Sequence, residues 1–187
     1  MDPRIAAAFA AAPRSRFLPP SQRDFSQVDV PLRLAHGQTN SQPTTVANML
    51  HLLDVRPGQR VLDVGAGSGW TTALLAHLVG EQGHVFGVER LPDLREGAAA
   101  AVADIGWAEV RQAVPGTLGL PDLAPFDRIL VSAQPESLPQ SLVEQLGIGG
   151  VMVIPVHGQM LRVVRDSQSE AGVTRHGFYS FVPLVED

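Results

Sequence analysis

The stretch VLDVGAGSGW, residues 61–70, constrains this chain more than any other. A short apolar run enters three glycines at positions 65, 67 and 69, and a helix-like pattern follows at once. Glycine permits a tight turn and lets a ligand come close to the backbone, at the positively polarised start of the next helix. A strand, turn and helix of this kind belong to open α/β sheets, whose ligands sit beyond the carboxyl ends of the strands.

The chain after residue 40 fits such a sheet. RVLDV (60–64), HVFGV (84–88), FDRILVS (126–132) and VMVIPV (151–156) read as short buried strands rich in valine, isoleucine and leucine. Helix-like stretches lie between them. Over residues 43–54, Val46, Met49, Leu50 and Leu53 keep the spacing of one apolar helical face, and Pro43 suits the first helical position. Residues 70–79 offer Ala73, Leu74, Leu75 and Leu78, and residues 137–146 offer Leu138, Leu142, Val143 and Leu146. A third helix is expected from Pro92 to a stop at Gly106. Such alternation predicts a parallel sheet with helices on both faces. LRVVRD (161–166) and GFYSFVPL (177–184) have no helix between them, so an antiparallel hairpin is expected at the sheet's edge. The fold class is α/β, doubly wound and mostly parallel.

Composition removes several chemistries. The 187 residues include no cysteine and no lysine, all 14 basic residues being arginines. Thiolate catalysis, cysteine-bound zinc, Schiff bases and the lysine-bearing phosphate loop are therefore excluded. A net charge of −5 without a basic cluster argues against a nucleic-acid partner. No apolar stretch reaches the roughly 20 residues of a membrane span. The N-terminal MDPRIAAAFAAAPRSR reads as a short surface helix rather than a secretion signal, given Asp2, Arg4 and Arg14. A monomer in the cytoplasm is expected.

Glu89 ends the second strand, 24 residues after Gly65, where a carboxylate can accept from both hydroxyls of a ribose. The dinucleotide fingerprint places its third glycine where this chain has Trp70, and the glycines instead read G-x-G-x-G behind Asp63. S-adenosylmethionine is then a better candidate than a dinucleotide, because its ammonium would favour a carboxylate such as Asp63. Asp63, Gly65, Gly67 and Glu89 are the expected cofactor contacts.

GQTNSQP (37–43) stands directly before the helix at Pro43, and LLDVRPGQRVLDVGAGSG follows. With PRSRFLPP (13–20), DVPL (29–32), LGLPDLAPFDRILVSA (118–133), LPQSLVEQLGIGGVMVIPV (138–156) and SFVPL (180–184), these motifs resemble the protein-L-isoaspartate O-methyltransferases over nearly the whole chain. The resemblance implies a seven-stranded, Rossmann-like sheet binding S-adenosylmethionine in one domain, 1–187, with residues 1–40 forming an extension over the cofactor cleft. It implies methyl transfer to the free α-carboxyl of L-isoaspartyl residues in damaged proteins or peptides. Gln38, Thr39, Asn40, Ala66, Arg90 and Gly116 join the expected cofactor contacts. Ser41 is the expected catalytic residue, and Thr39, Ser41, Phe181 and Pro183 are expected to meet the acceptor. On its residue type alone, Ser41 could instead cap the following helix.

The chain also departs from the family's pattern. Relatives carry G-D-G after the third strand, where the acid can reach the adenine amino group; here VPGTLGL (114–120) puts Pro115 at the acid's place. Asn40 replaces an isoleucine-like residue, and Trp70 a tyrosine. These changes leave open a different carboxylate acceptor, or a cofactor-binding protein without turnover. His51, His77 and His84 are expected to be structural, His36 and His157 lie nearer the cleft but are not expected to act as bases, and no metal-ligand spacing joins them.

Overall fold

The computed structural model describes residues 2–167 and 170–185. Helix α1 (Pro3–Ala11) opens on Asp2, whose carboxylate accepts from the Arg4 amide at 2.7 Å, and it buries Ile5 and Ala8. Two 3₁₀ turns, Arg14–Phe17 and Pro20–Phe25, lead to a pair of two-residue strands, β1 (Leu32–Arg33) and β2 (Thr39–Asn40). Helix α2 (Pro43–Leu53) follows, and buries the four residues its spacing picked out: Val46, Met49, Leu50 and Leu53.

Strand β3 (Arg60–Val64), helix α3 (Trp70–Val79), strand β4 (His84–Glu89), helix α4 (Pro92–Ala101) and strand β5 (Ala108–Gln112) form two successive crossovers. After β6 (Phe126–Val131) and the single turn α5 (Gln140–Val143) come β7 (Leu146–Val156), β8 (Gln159–Arg165) and β9 (Ala171–Phe178). The seven-stranded sheet runs β5-β4-β3-β6-β7-β8-β9. Its first five strands are parallel, and β8 and β9 add on antiparallel.

The pleat sends alternate residues to opposite faces. Val61, Val85, Leu130, Val151 and Val153 pack with Met49, Leu50, Leu74 and Leu75 from α2 and α3. Leu62, Phe86, Ile129, Met152 and Ile154 pack on the other face with Leu142 and Val143 of α5 and with Leu118, Leu120 and Leu123. Irregular chain from 113 to 124 thus does much of the covering there.

Three sequence-based boundaries move. The helix expected over 137–146 shrinks to α5, because Leu146 already pairs with Phe126 as the start of a long, irregular β7. Gly150 permits that irregularity: a Cβ there would lie 2.7 Å from the Gly147 carbonyl oxygen. Helix α4 ends at Ala101 rather than at Gly106, and the turn after it brings Val102 and Ile105 onto the core. The last strand, β9, lies mostly ahead of GFYSFVPL and takes in only its first two residues, Gly177 and Phe178. Past Phe178 the chain leaves the sheet, and Gln134 donates to the Val182 carbonyl and accepts from the Leu184 amide, both at 2.8 Å. Strand β5 has no apolar run of its own to announce it, since only Val110 of its five residues is buried.

Candidate active site

The turn after β3 uses its glycines as the sequence suggests. Gly65, Gly67 and Gly69 have φ of +80°, +56° and +84°, a region that side chains disfavour. Gly69 also faces α4 closely, for a Cβ there would stand 3.1 Å from the backbone of Ala98. The amides of Gly65 and Ala66 donate to the Val88 carbonyl at 2.9 and 3.0 Å, which ties the turn to the end of β4.

Glu89 closes that connection. It is 7% exposed, its Oε2 accepts from the Gly67 amide at 2.9 Å, and its Oε1 accepts from the Leu91 amide at 2.9 Å. Each oxygen keeps acceptor capacity toward the space in front of it, since an ionised carboxylate has about four lone-pair sites. The carboxylate is thus held rigidly at the mouth of the sheet.

A strap crosses in front of the turn. It runs from the 3₁₀ turn Ala35–Gly37 through β2 to Gln42, and Gln38, Thr39, Asn40 and Ser41 line one side of a cavity. Asn40 Nδ2 donates to Ser68 Oγ at 3.1 Å, and Asn40 Oδ1 accepts from Arg14 Nε at 2.7 Å. Burial pulls the Arg14 guanidinium down to about 10, against the pull of Asp29, so it stays charged at neutral pH.

Ser41 does not cap α2. The residue ahead of the helix is Gln42, whose side chain makes no capping bond, and the Thr44 amide donates to Asp29 Oδ1 at 2.8 Å. The Ser41 carbonyl accepts from Arg14 Nη2 at 3.0 Å, while its hydroxyl has no protein hydrogen-bond partner among the described residues.

The cavity brings together Gln38, Thr39, Asn40, Ser41, Gly65, Ala66, Gly67, Glu89, Arg90 and Pro183. Three expected site residues are elsewhere. Asp63 lies on the same pleat face as Val61, behind the turn and beneath α3, with no exposed surface. Its Oδ2 accepts from the hydroxyls of Thr71 and Thr72, both at 2.7 Å, and its Oδ1 has no partner. Desolvation raises this carboxyl to about 6, with the two hydroxyls opposing and the Glu89 charge adding to the rise. Gly116 is exposed at φ +72° between the wall residues Pro115 and Thr117 without lining the cavity itself, and Phe181 packs on the core face that holds α1 to α3.

The walls also hold residues the sequence did not single out. Leu91, Gln112, Ala113 and Val114 flank Glu89, Ser132 and Ala133 follow β6, and Val182, Leu184 and Val185 extend the rim beyond Pro183. Gln112 pairs with Glu89 in the β4–β5 register, so the rule that ligands gather at carboxyl ends of parallel strands points to it. Among the described residues Glu89 is the single carboxylate on the wall, and Pro115 is exposed there without a donor or acceptor side chain. His36 instead reaches Asp93 at 3.2 Å, and His157 sits in the β7–β8 turn; neither is on the wall. Among the described residues no group of three or more His, Asp or Glu could hold a metal, and no helix is long and apolar enough to cross a membrane.

Known proteins are similar to this chain in sequence and in fold. The family model for protein-L-isoaspartate(D-aspartate) O-methyltransferase matches residues 1–187. A protein-L-isoaspartate O-methyltransferase from Methanopyrus kandleri is 45% identical over 97% of this chain and 83% of its own length. One from Aeropyrum pernix is 47% identical over 97% of this chain and 72% of its own. In fold, the chain is similar to a candidate protein-L-isoaspartate O-methyltransferase from Plasmodium falciparum, solved in complex with S-adenosyl-L-homocysteine. That likeness has a TM-score of 0.88 at 23% identity, covering 100% of this chain and 92% of that one. A second solved protein-L-isoaspartate O-methyltransferase gives a TM-score of 0.84 at 26% identity, over 98% of this chain and 62% of that one. By the full-length family match and these close relatives, the chain belongs to the protein-L-isoaspartate(D-aspartate) O-methyltransferase family.

Proposed function

We propose that this chain transfers a methyl group from S-adenosylmethionine to the free α-carboxyl of L-isoaspartyl residues in proteins or peptides. The observation that carries the reading is one cavity with Glu89 and the glycine turn on one side and the Thr39–Ser41 strap on the other. Family membership supports the choice of acceptor.

The residues fit the cofactor by their chemistry. Glu89, anchored by two amides, offers acceptor capacity to a ribose diol, and the glycine turn lets the ligand approach the main chain. Val88, Leu91, Val114 and Leu118 supply apolar wall, and Gln112 and Thr117 supply polar groups near the place of the missing acid. When bound, the cofactor supplies an activated methyl on a sulfonium. Arg90 on the rim, Gln38, Thr39 and Asn40 complete the proposed cofactor contacts.

On the acceptor side, Ser41 and Thr39 offer hydroxyls and Pro183 lies at the rim. An isoaspartyl carboxyl is already ionised at neutral pH, so no residue needs to remove a proton from it. What the chain contributes is alignment and exclusion of water, which together supply much of such a barrier reduction. The absence of histidine and lysine from the wall accords with that chemistry. The reading takes residues 1–40 as a cover over a single catalytic domain, and it includes the expectation of a monomer in the cytoplasm.

Incubation with labelled S-adenosylmethionine and an isoaspartyl peptide, beside its aspartyl twin, tests the proposal. Selective labelling of the isoaspartyl peptide is expected. Labelling of neither would leave the second reading, a methyltransferase for another carboxylate or a binder without turnover, which Pro115 and Asn40 motivate.

A further inference from the structure

Arg14 is 4% exposed and has five acceptors, none of them charged. Its Nε donates to Asn40 Oδ1 at 2.7 Å and its Nη1 to the Val28 carbonyl at 3.0 Å. Its Nη2 reaches the carbonyls of Val30, Asn40 and Ser41 at 2.8, 3.1 and 3.0 Å. The guanidinium also lies 5.4 Å from the centroid of the Trp70 ring, whose Nε1 donates to the Ala12 carbonyl at 3.0 Å. The nearest acid, Asp29, spends its oxygens on the Thr44 amide, the Thr44 hydroxyl and Gln42 Nε2, and forms no ion pair with Arg14.

A buried cation without a carboxylate partner is costly, and burial normally brings one. Neutral acceptors hold this guanidinium in place, and Asp29 offsets its charge only from a distance, without an ion pair. That charge stands directly beneath the main chain of Asn40 and Ser41, the part of the strap that faces the cavity. Low-dielectric surroundings let it act over several ångströms with little screening.

We infer that Arg14 is a positioning residue that selects an anionic methyl acceptor: it fixes the Asn40–Ser41 strap to the glycine turn through Ser68 and gives the acceptor side a positive potential without touching the substrate. The inference rests on the reading that the strap faces the acceptor. It explains how a site with no lysine draws a carboxylate toward Ser41. Asn40 belongs to the same device. The isoleucine-like residue of its relatives could not accept from Arg14 or donate to Ser68.

The test compares Arg14→Gln and Arg14→Lys with Arg16→Gln. Arg16 is exposed in the same 3₁₀ turn, paired with Asp104 at 3.5 Å, and serves as a control for loss of charge. Steady-state rates on an isoaspartyl peptide, cofactor affinity by calorimetry and thermal melts are measured on each. Arg14→Gln is expected to raise KM for the peptide about tenfold, with a smaller fall in kcat as the strap loosens and cofactor affinity within about twofold. Arg14→Lys is expected to recover most of that KM, and Arg16→Gln to leave it unchanged. An unchanged KM in a folded Arg14→Gln, or loss confined to kcat and cofactor affinity, overturns the inference and leaves Arg14 a structural staple. Should both Arg14 variants fail to fold, Asn40→Leu decides, since it removes the acceptor for Arg14 Nε and the donor to Ser68 Oγ: a raised KM for the isoaspartyl peptide is expected, and an unchanged KM overturns the inference. A native chain that methylates no isoaspartyl peptide removes the acceptor reading itself, and this inference with it.

Discussion

The amide of Thr44 donates to Asp29 Oδ1 at 2.8 Å, so the helix behind the strap is capped by a residue 15 positions upstream rather than by the neighbouring Ser41. The carboxylate also holds the Thr44 hydroxyl and the Gln42 amide group, and these bonds keep Asp29 below the ordinary carboxylate range. The start of the helix is thus stabilised without the Ser41 side chain.

Ser41→Ala should lower turnover on an isoaspartyl peptide by about ten- to a hundredfold, the value of one hydrogen bond to a charged group. Its melting temperature and cofactor affinity should not change. Asp29→Ala should do the reverse, lowering the melting temperature and sparing the specific activity of the folded enzyme. Melts and initial rates on the same preparations check both. Unchanged turnover in Ser41→Ala removes it from the proposed acceptor contacts.

Glu89→Ala should weaken S-adenosylmethionine by about 1–3 kcal/mol, because ribose hydroxyls lose a charged acceptor. It should also loosen the turn, since the Gly67 and Leu91 amides lose theirs. Glu89→Gln keeps only one acceptor oxygen and should fall between the two. Calorimetry on the three proteins measures the order, and equal affinities would take Glu89 out of the site.

Pro115→Asp should tighten the cofactor by about 0.5–1.5 kcal/mol, as an acid there regains a partner for the adenine amino group. Pro115 is exposed on the wall, so the substitution carries no packing cost. Titration calorimetry reads the change; a marked loss in a folded variant would show that the loop takes adenine differently.

Asp63 should give the protein a stability that falls as pH rises. Its folded-state value of about 6 exceeds the ordinary 3.8, so folding takes up a proton between these values. The stabilisation is complete below the lower value and lost as pH passes the higher one, by up to about 3 kcal/mol. Asp63→Asn should flatten that slope, since its one oxygen can still accept from Thr71 and Thr72. Denaturant melts from pH 4 to 7 compare the two; parallel curves would mean that Asp63 titrates as an ordinary carboxyl.

Much of this was legible in the residues alone. The glycines and the apolar runs around them mark β3 and α3, the spacing of Val46, Met49, Leu50 and Leu53 marks α2, and Glu89 sits where a parallel strand ends. Such features are local: periodicity reports which face is buried, and glycine reports where the backbone needs a positive φ. Strand β5 escaped because an edge strand with one buried residue leaves almost no period.

Partners of polar groups are another matter. Sequence determined that a ligand turn, a parallel sheet and a polar strap exist; it did not determine that Asp63 would lie behind the turn, that Asp29 would take the cap from Ser41, or that Arg14 would be buried under the strap. Each depends on which distant segment arrives beside it. Arg14 meets Asn40 across 26 positions, and Gln134 meets Val182 across a longer gap still. A buried donor or acceptor must find a partner somewhere, and only the closed tertiary structure decides which one is within 3 Å.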